Sequence, residues 1–232
     1  MKKPALAVMG RAPIPGEVKT RLQPGLSADR CASLYRAFLL DAIDLATSLP
    51  SYQPFLAYAP ANAEGWFQGM VHEGVGLVRQ VEGDLGARMN AIMSGLLRKG
   101  HPAVVITGSD IPTLQPGTLE EALRSLEIND LCLGPTADGG YYLIGARKAC
   151  QEVFRGIQWS TPGVFEATLK RAEQAGLSVG VVERYADVDT ADDLRRLPLD
   201  LEKLRGVSGA RMPAHTLRWL SENRSETPIP KS

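Results

Sequence analysis

Apolar residues in this chain form short continuous runs that alternate with stretches of helical spacing. Ala5 to Met9, Pro54 to Tyr58, Gly76 to Gln80, Ala103 to Thr107 and Val179 to Val182 are compact runs bounded by turn residues, the pattern of buried strands. Asp130 to Gly134 and Tyr141 to Ala146 are two further strand candidates. After Ser27, a good N-cap, Cys31, Leu34, Tyr35, Phe38, Leu39, Ala42, Leu45 and Ala46 recur at helical spacing and predict an amphipathic helix over Ala28 to Thr47. A short helix is expected from Asn62 to Gly69. Another carries Met89, Ile92, Met93, Leu96 and Leu97. Pro116 opens a helix through Leu126, and Pro162 or Gly163 one to Ala175. A short helix starts at Ala191, where Thr190 and Asp193 have capping-box spacing, and Arg211 to Trp219 is a last short one. Asn223 to Ser232 reads as a polar, mobile tail.

Strands alternate with helices through most of this order, which predicts a mostly parallel sheet with helices on both faces, a three-layer α/β/α sandwich. The pair spanning Leu131 to Gly145 breaks the alternation, so the sheet is expected to be mixed. One domain over residues 1–204 and a C-terminal extension over 205–232 follow from where the pattern weakens.

Five polar segments follow strand candidates. Gly10 to Leu22 offers Gly10, Arg11, Lys19 and Arg21 in a loop rich in glycine and proline, a combination that suits a phosphate chain or, more blandly, a solvated surface. It matches neither a P-loop nor a dinucleotide fingerprint. Glu82 to Asn90 has Gly83 and Gly86, where backbone can approach a ligand, and Arg88 in the first turn of a helix, where a local anion would explain a cation. Gly108 to Pro112 delivers Ser109 and Asp110 at the carboxyl end of a strand, where open α/β sheets bind ligands, although aspartate also favours turns for local reasons. Thr136 to Tyr142 holds Asp138, Gly139, Gly140 and Tyr141, also a good hairpin turn. Asp187 and Asp189 alternate, so both could face one side. With Asp110 they make an oxygen-rich set suited to Mg²⁺ or Mn²⁺ shared with substrate phosphates. Cations at one end of a crevice and carboxylates at the other fit a nucleoside di- or triphosphate.

Composition narrows the partners. Among 232 residues, Lys plus Arg and Asp plus Glu each number 26, so no basic field recommends nucleic acid or a membrane surface. No apolar stretch reaches the length of a membrane span, and the first apolar run is too short for a secretory signal. Cys31, Cys132 and Cys150 are far apart, which reads as reduced, buried cysteines in a cytoplasmic protein.

Five motifs occur in order: Arg11-Ala-Pro-x-Pro-Gly-x-Val-Lys-Thr-Arg-Leu22, Glu82-Gly-Asp-Leu-Gly-x-Arg-Met89, Gly108-Ser-Asp-x-Pro112, Asp138-Gly-Gly-Tyr-Tyr-Leu143 and Asp187-Val-Asp-Thr-x-x-Asp-Leu194. Together they resemble the radical-SAM/selenodomain-associated transferase 1 family, described as glycosyltransferase-like. That family is similar to the GT-A nucleotide-diphospho-sugar transferase fold and to the 2-phospholactate guanylyltransferases and molybdopterin nucleotidyltransferases. The resemblance implies Asp110 as a metal-binding aspartate that Asp189 can complete. It implies Lys19 and Arg21 as phosphate-loop cations, and Gly86 and Arg88 as neighbours of the nucleotide. The first loop lacks the Gly-Gly-x-Ser-x-Arg-Met-Gly pattern of the molybdopterin enzymes, and the central motif is Gly-Ser-Asp rather than Asp-x-Asp.

The expected function is a metal-dependent glycosyl transfer from a nucleoside-diphosphate sugar. Asp110, Lys19 and Asp138 would be catalytic, with Asp138 or Asp189 as general base. Nucleotidyl transfer from a triphosphate, with release of pyrophosphate, is the alternative. A non-catalytic nucleotide-binding domain is the third. The expected partners are a nucleotide or nucleotide-sugar donor and a small-molecule acceptor, with a homodimer allowed.

Overall fold

The computed structural model describes residues 2–23 and 25–223. Seven strands form one sheet: β1 (Ala5–Arg11), β2 (Gln53–Ala59), β3 (Gly76–Arg79), β4 (Val104–Thr107), β5 (Leu131–Pro135), β6 (Tyr141–Ala146) and β7 (Val179–Val181). Their order across the sheet is β3-β2-β1-β4-β6-β5-β7. β6 alone runs antiparallel to both neighbours, β4 and β5; the other pairs are parallel. The mixed, mostly parallel sheet is therefore as the pattern predicts, and β6 is the strand that breaks the alternation. β1 runs two residues beyond the apolar run, because Gly10 and Arg11 still pair with Tyr58 and Ala59. Gly10 leaves room for the helix that follows: a Cβ at this position would lie 2.8 Å from Leu39 Cδ1 and push that side chain aside.

Among the described residues seven α-helices accompany the sheet: α1 (Ala28–Thr47), α2 (Glu64–Gln68), α3 (Leu85–Arg98), α4 (Pro116–Ile128), α5 (Val164–Gln174), α6 (Ala191–Arg205) and α7 (Ala214–Glu222). Strand alternation feeds two cores. On one face Leu6, Val8, Leu56 and Val105 pack with Leu39 and Ile43 of α1 and Leu119 and Leu126 of α4. On the other, Ala5, Ala7, Val104 and Ile106 pack with Met89, Ile92 and Leu96 of α3 and Ala172 of α5. Three layers result. Cys132 and Cys150 are free thiols buried in these two cores, and Cys31 is a buried free thiol on the far side of α1.

α1 departs from a simple amphipathic helix. Its far side, Cys31, Leu34 and Phe38, is buried against Leu194, Leu197 and Leu201 of α6 and Trp219 and Leu220 of α7. α6, expected to be short, extends over 15 residues and contains Pro198. The Thr190–Asp193 capping box starts it as predicted, and the leucines packed on α1 carry it past the proline. The tail beyond Asn223 lies outside the described residues. Among the described residues, no helix is long and apolar enough to cross a membrane.

Candidate active site

The parallel strands bring their carboxyl ends to one edge, and the sequence-predicted loops converge there. β1 ends in Gly10 and Arg11, β4 leads to Ser109 and Asp110, and β5 leads to Asp138. The segment after β7 returns to the same edge through a bridge between Tyr185 and Thr136. A crevice of about 720 Å³ opens among them. Arg11, Lys19, Arg21, Arg88, Asp110, Asp138, Asp187 and Asp189 all line it, with Gly10, Ser109, Gly140 and Tyr141.

At its floor is an ion triad. Lys19 Nζ donates to Asp189 Oδ1 at 2.6 Å and to the Val188 carbonyl at 2.8 Å, and lies 2.9 Å from Asp110 Oδ1. The Asp110 contact is off the direction of a hydrogen bond, so that buried oxygen has a charge partner but no hydrogen bond. The Lys19 side chain is 4% exposed. Burial alone would lower its pKa, but the charges of Asp110 and Asp189 outweigh burial and hold it above the usual lysine range. The two carboxylates are set by backbone. Val188 N donates to the Asp110 carbonyl at 3.0 Å, and Asp193 Oδ2 accepts from Asp189 N at 3.2 Å and Thr190 N at 2.8 Å. The sequence reading put cations and carboxylates at opposite ends of the crevice; for Lys19 the structure corrects this. Its ammonium sits between the acids.

Lys19 itself is backbone-strained, at φ 49° and ψ 39°, the left-handed region in which a Cβ is crowded. Strain of this kind concentrates at functional positions.

Asp187 is the group most perturbed in a direction useful for a test. Burial, then the nearby charges of Asp189 and Asp138, with Asp110 last, push its pKa up to about 6. The folded chain therefore holds a proton on Asp187 at pH values where the unfolded chain has lost it. Stability is full below pH 4 and declines as pH rises toward 6. Asp187→Asn is expected to be neutral at pH 4 and stabilising above pH 6. Because the group is partly exposed, the gain is discounted to about 1 kcal/mol. Thermal melts of both proteins across pH 4 to 8 check it; an equal shift at every pH rejects it.

Other predicted residues fare differently. Asp138 Oδ1 accepts from Thr136 Oγ1 and from Gly140 N, so one of its oxygens is committed to holding the turn. Ser109 lines the crevice but is buried, and its hydroxyl donates to Tyr35 Oη; the same Tyr35 Oη accepts from Arg11 N. Gly83, Gly86 and Gly139 do not line the crevice. Gly139, at φ 89°, packs on the Pro162 carbonyl, and a Cβ there would lie 2.0 Å from that oxygen. Gly86 carries the Trp159 ring, with a Cβ placed 2.5 Å from Trp159 Cζ2. Arg88 Nε donates to the Gly83 carbonyl.

Tyr35 and Trp159 line the crevice and were missed in the sequence. Tyr35 was absorbed into the apolar face of α1, and nothing local marked the 158–162 loop. Trp159 Nε1 is buried without a hydrogen-bond partner. Gly86→Ala is expected to push this ring into the crevice. Near-UV circular dichroism should change and nucleotide affinity fall about tenfold, while the melting temperature moves little. An unchanged spectrum and affinity would show that the Gly86–Trp159 contact is irrelevant to the crevice.

The charge balance bears on what can be held here. Four cations, Arg11, Lys19, Arg21 and Arg88, face five carboxylates, Glu17, Asp110, Asp138, Asp187 and Asp189. A polyphosphate entering such a crevice needs added positive charge. Among the described residues no three acidic, histidine or cysteine side chains are grouped as a closed metal cage. Two carboxylates completed by phosphate oxygens and water is the arrangement Mg²⁺ adopts with nucleotides. Asp110, whose Oδ1 has no hydrogen bond, and Asp189 are the residues that could hold it.

A 2-phospho-L-lactate guanylyltransferase of Methanopyrus kandleri is 35% identical over 91 residues, which are 37% of this chain and 45% of that protein, so the chain spans less than half of that curated relative's length. A crystal structure from Desulfovibrio desulfuricans G20, described as a candidate nucleotide-diphospho-sugar transferase, superposes with TM-score 0.87 at 32% identity over 98% of this chain and 97% of that one. A CMP:2-keto-3-deoxy-manno-octonic acid synthetase complexed with CTP aligns with TM-score 0.54 at 14% identity over 88% of this chain and 98% of the other, a likeness of fold alone. The fold is thus that of the nucleotide-diphospho-sugar transferases. Residues 42–161, just over half of the chain, match the family described as "Uncharacterized protein conserved in bacteria (DUF2064)", and the chain belongs to that family.

Proposed function

We propose that this protein is a metal-dependent nucleotidyltransferase, moving a nucleoside monophosphate from a triphosphate to a small acidic or phosphorylated acceptor and releasing pyrophosphate. The observation that carries this is the crevice itself, where Arg11, Arg21 and Arg88 accompany the Lys19–Asp110–Asp189 triad. Three arginines standing outside the triad give a long phosphate chain several points of contact, while the extra carboxylates call for a metal to enter with it. The guanylyltransferase relative points the same way and makes GTP the first donor to try.

In this reading Arg11 and Arg21 bind the β- and γ-phosphates, which leave together, and stabilise the charge that develops on them. Arg88, near the N-terminus of α3, sits where a phosphate can be met by side chain and helix together. Asp110 and Asp189 would hold Mg²⁺ or Mn²⁺, which supplies charge neutralisation at the phosphates when bound. Glycosyl transfer, favoured by the motif resemblance, is the second reading. The Desulfovibrio structure's description supports it.

The test is a panel of nucleoside triphosphates and sugar nucleotides with Mg²⁺ or Mn²⁺, read by thermal shift and by pyrophosphate release with phosphorylated hydroxy-acid acceptors such as 2-phospho-L-lactate. Pyrophosphate release dependent on GTP and acceptor is the expected result. Stabilisation by sugar nucleotides with no response to any triphosphate would replace this reading with the glycosyl one.

A further inference from the structure

The geometry points to a gating role for Lys19: its ammonium holds the Asp110–Asp189 pair closed to divalent metal until a polyphosphate draws it away. This rests on the nucleotide-transfer reading above. An ammonium has three donors, and three oxygens surround this one: Asp189 Oδ1 at 2.6 Å, the Val188 carbonyl at 2.8 Å and Asp110 Oδ1 at 2.9 Å. Two of its donors are committed to hydrogen bonds, and its charge is shared with Asp110 as well. With only 4% of the side chain exposed, Lys19 cannot reach a ligand as it stands. A second cation on the same oxygens would lie within a few ångströms of the first, where like charges repel strongly outside bulk water. Lys19 and a divalent metal are therefore alternatives at this pair.

The backbone is arranged for exchange. Lys19 occupies the left-handed region and directly precedes the short 3₁₀ turn Thr20–Leu22, so rotation at one strained residue redirects the side chain. Arg11 and Arg21, in the same loop, have no side-chain hydrogen bond among the described residues and remain free for first contact with a phosphate chain. As phosphate oxygens replace its carboxylate partners, Lys19 releases Asp110 and Asp189 for the incoming metal. The carboxylates are neutralised in both states. Metal and polyphosphate must then bind with positive, reciprocal coupling, and Lys19 is its source.

The test titrates Mn²⁺ alone into wild type, Lys19→Gln and Lys19→Met, reading free Mn²⁺ by electron paramagnetic resonance. Glutamine removes the charge but keeps a donor for Asp189, so it guards against misfolding of the methionine variant. Both variants should bind Mn²⁺ at least about tenfold more tightly than wild type. In wild type, GTP should raise Mn²⁺ affinity about tenfold after correction for the Mn²⁺–GTP complex, and this gain should vanish in the variants. Equal Mn²⁺ affinity in wild type and folded variants, or no binding by any of them, overturns the gate. A protein that does not respond to GTP removes the functional reading instead, while the Mn²⁺-only comparison still decides the gate.

Discussion

Asp110→Asn is expected to abolish metal-dependent nucleotide binding and to lower turnover by about three orders of magnitude, while the fold survives. The fold should survive because the structural part of Asp110 is its backbone: its carbonyl accepts from Val188 N at 3.0 Å whatever the side chain. Asparagine has the same shape, and Lys19 keeps Asp189 and the Val188 carbonyl as partners. What disappears is one of the two charges that hold a cation at the floor of the crevice. Losing half of a two-carboxylate site removes most affinity for a hard divalent ion, whose ligands are oxygens and preferably charged. Calorimetric titration of Mn²⁺ and GTP, with a thermal melt as the control for folding, measures both halves of the expectation. Metal-dependent binding that persists unchanged in a folded Asp110→Asn protein would remove the central claim about this site.

The second large effect is on stability. Asp41→Ala should destabilise the protein by about 3 kcal/mol, or roughly 10 °C in melting temperature, without altering the thermal shift produced by nucleotide. Asp41 is 2% exposed on α1, and its carboxylate accepts from His215 N at 3.0 Å, Thr216 N at 2.8 Å and Thr216 Oγ1 at 2.6 Å. These donors belong to the first turn of α7, so a side chain on one helix caps another. Arg211 adds a bond to the Asp41 carbonyl, which alanine leaves in place. Truncation strands three donors in a buried setting, a larger cost than the loss of an average hydrogen bond. A melting temperature within about 2 °C of wild type would show that water replaces the carboxylate and that α7 is held by Trp219 and Leu220 alone.

Asp41 also marks a boundary of what the chain discloses locally. In the sequence it is one of several polar positions along α1, among them Arg36 and Asp44, with nothing nearby to say that its partners lie at Thr216. Tyr35 hid in the same helix for the same reason. Its spacing fits a core residue, and it is one, yet its hydroxyl tip reaches Ser109 and Arg11 at the crevice. The buried far side of α1 was equally hidden, because a helix covered on two sides and one covered on a single side differ only by a few apolar positions such as Leu34 and Phe38.

Much else was legible. The strand runs, the turn residues that end them and the Thr190–Asp193 cap are local features, governed by side-chain period and by hydrogen bonds within a few residues. They sufficed to predict a mostly parallel, mixed sheet broken at the Leu131 to Gly145 pair, and to suggest that the loops carrying Arg11, Arg21, Arg88, Asp110, Asp138 and Asp189 share one edge; in the structure all six residues line the crevice. That β6 is the reversed strand came from the structure. Tertiary structure alone decided how those groups meet. Lys19 and Asp189 lie 170 positions apart, and their 2.6 Å contact depends on the strand order β1-β4-β6-β5-β7 and on a backbone bond from Val188 to Asp110. Charge attraction has no sequence period. The chain specified which ions would be present; the sheet determined that a lysine would stand between two aspartates.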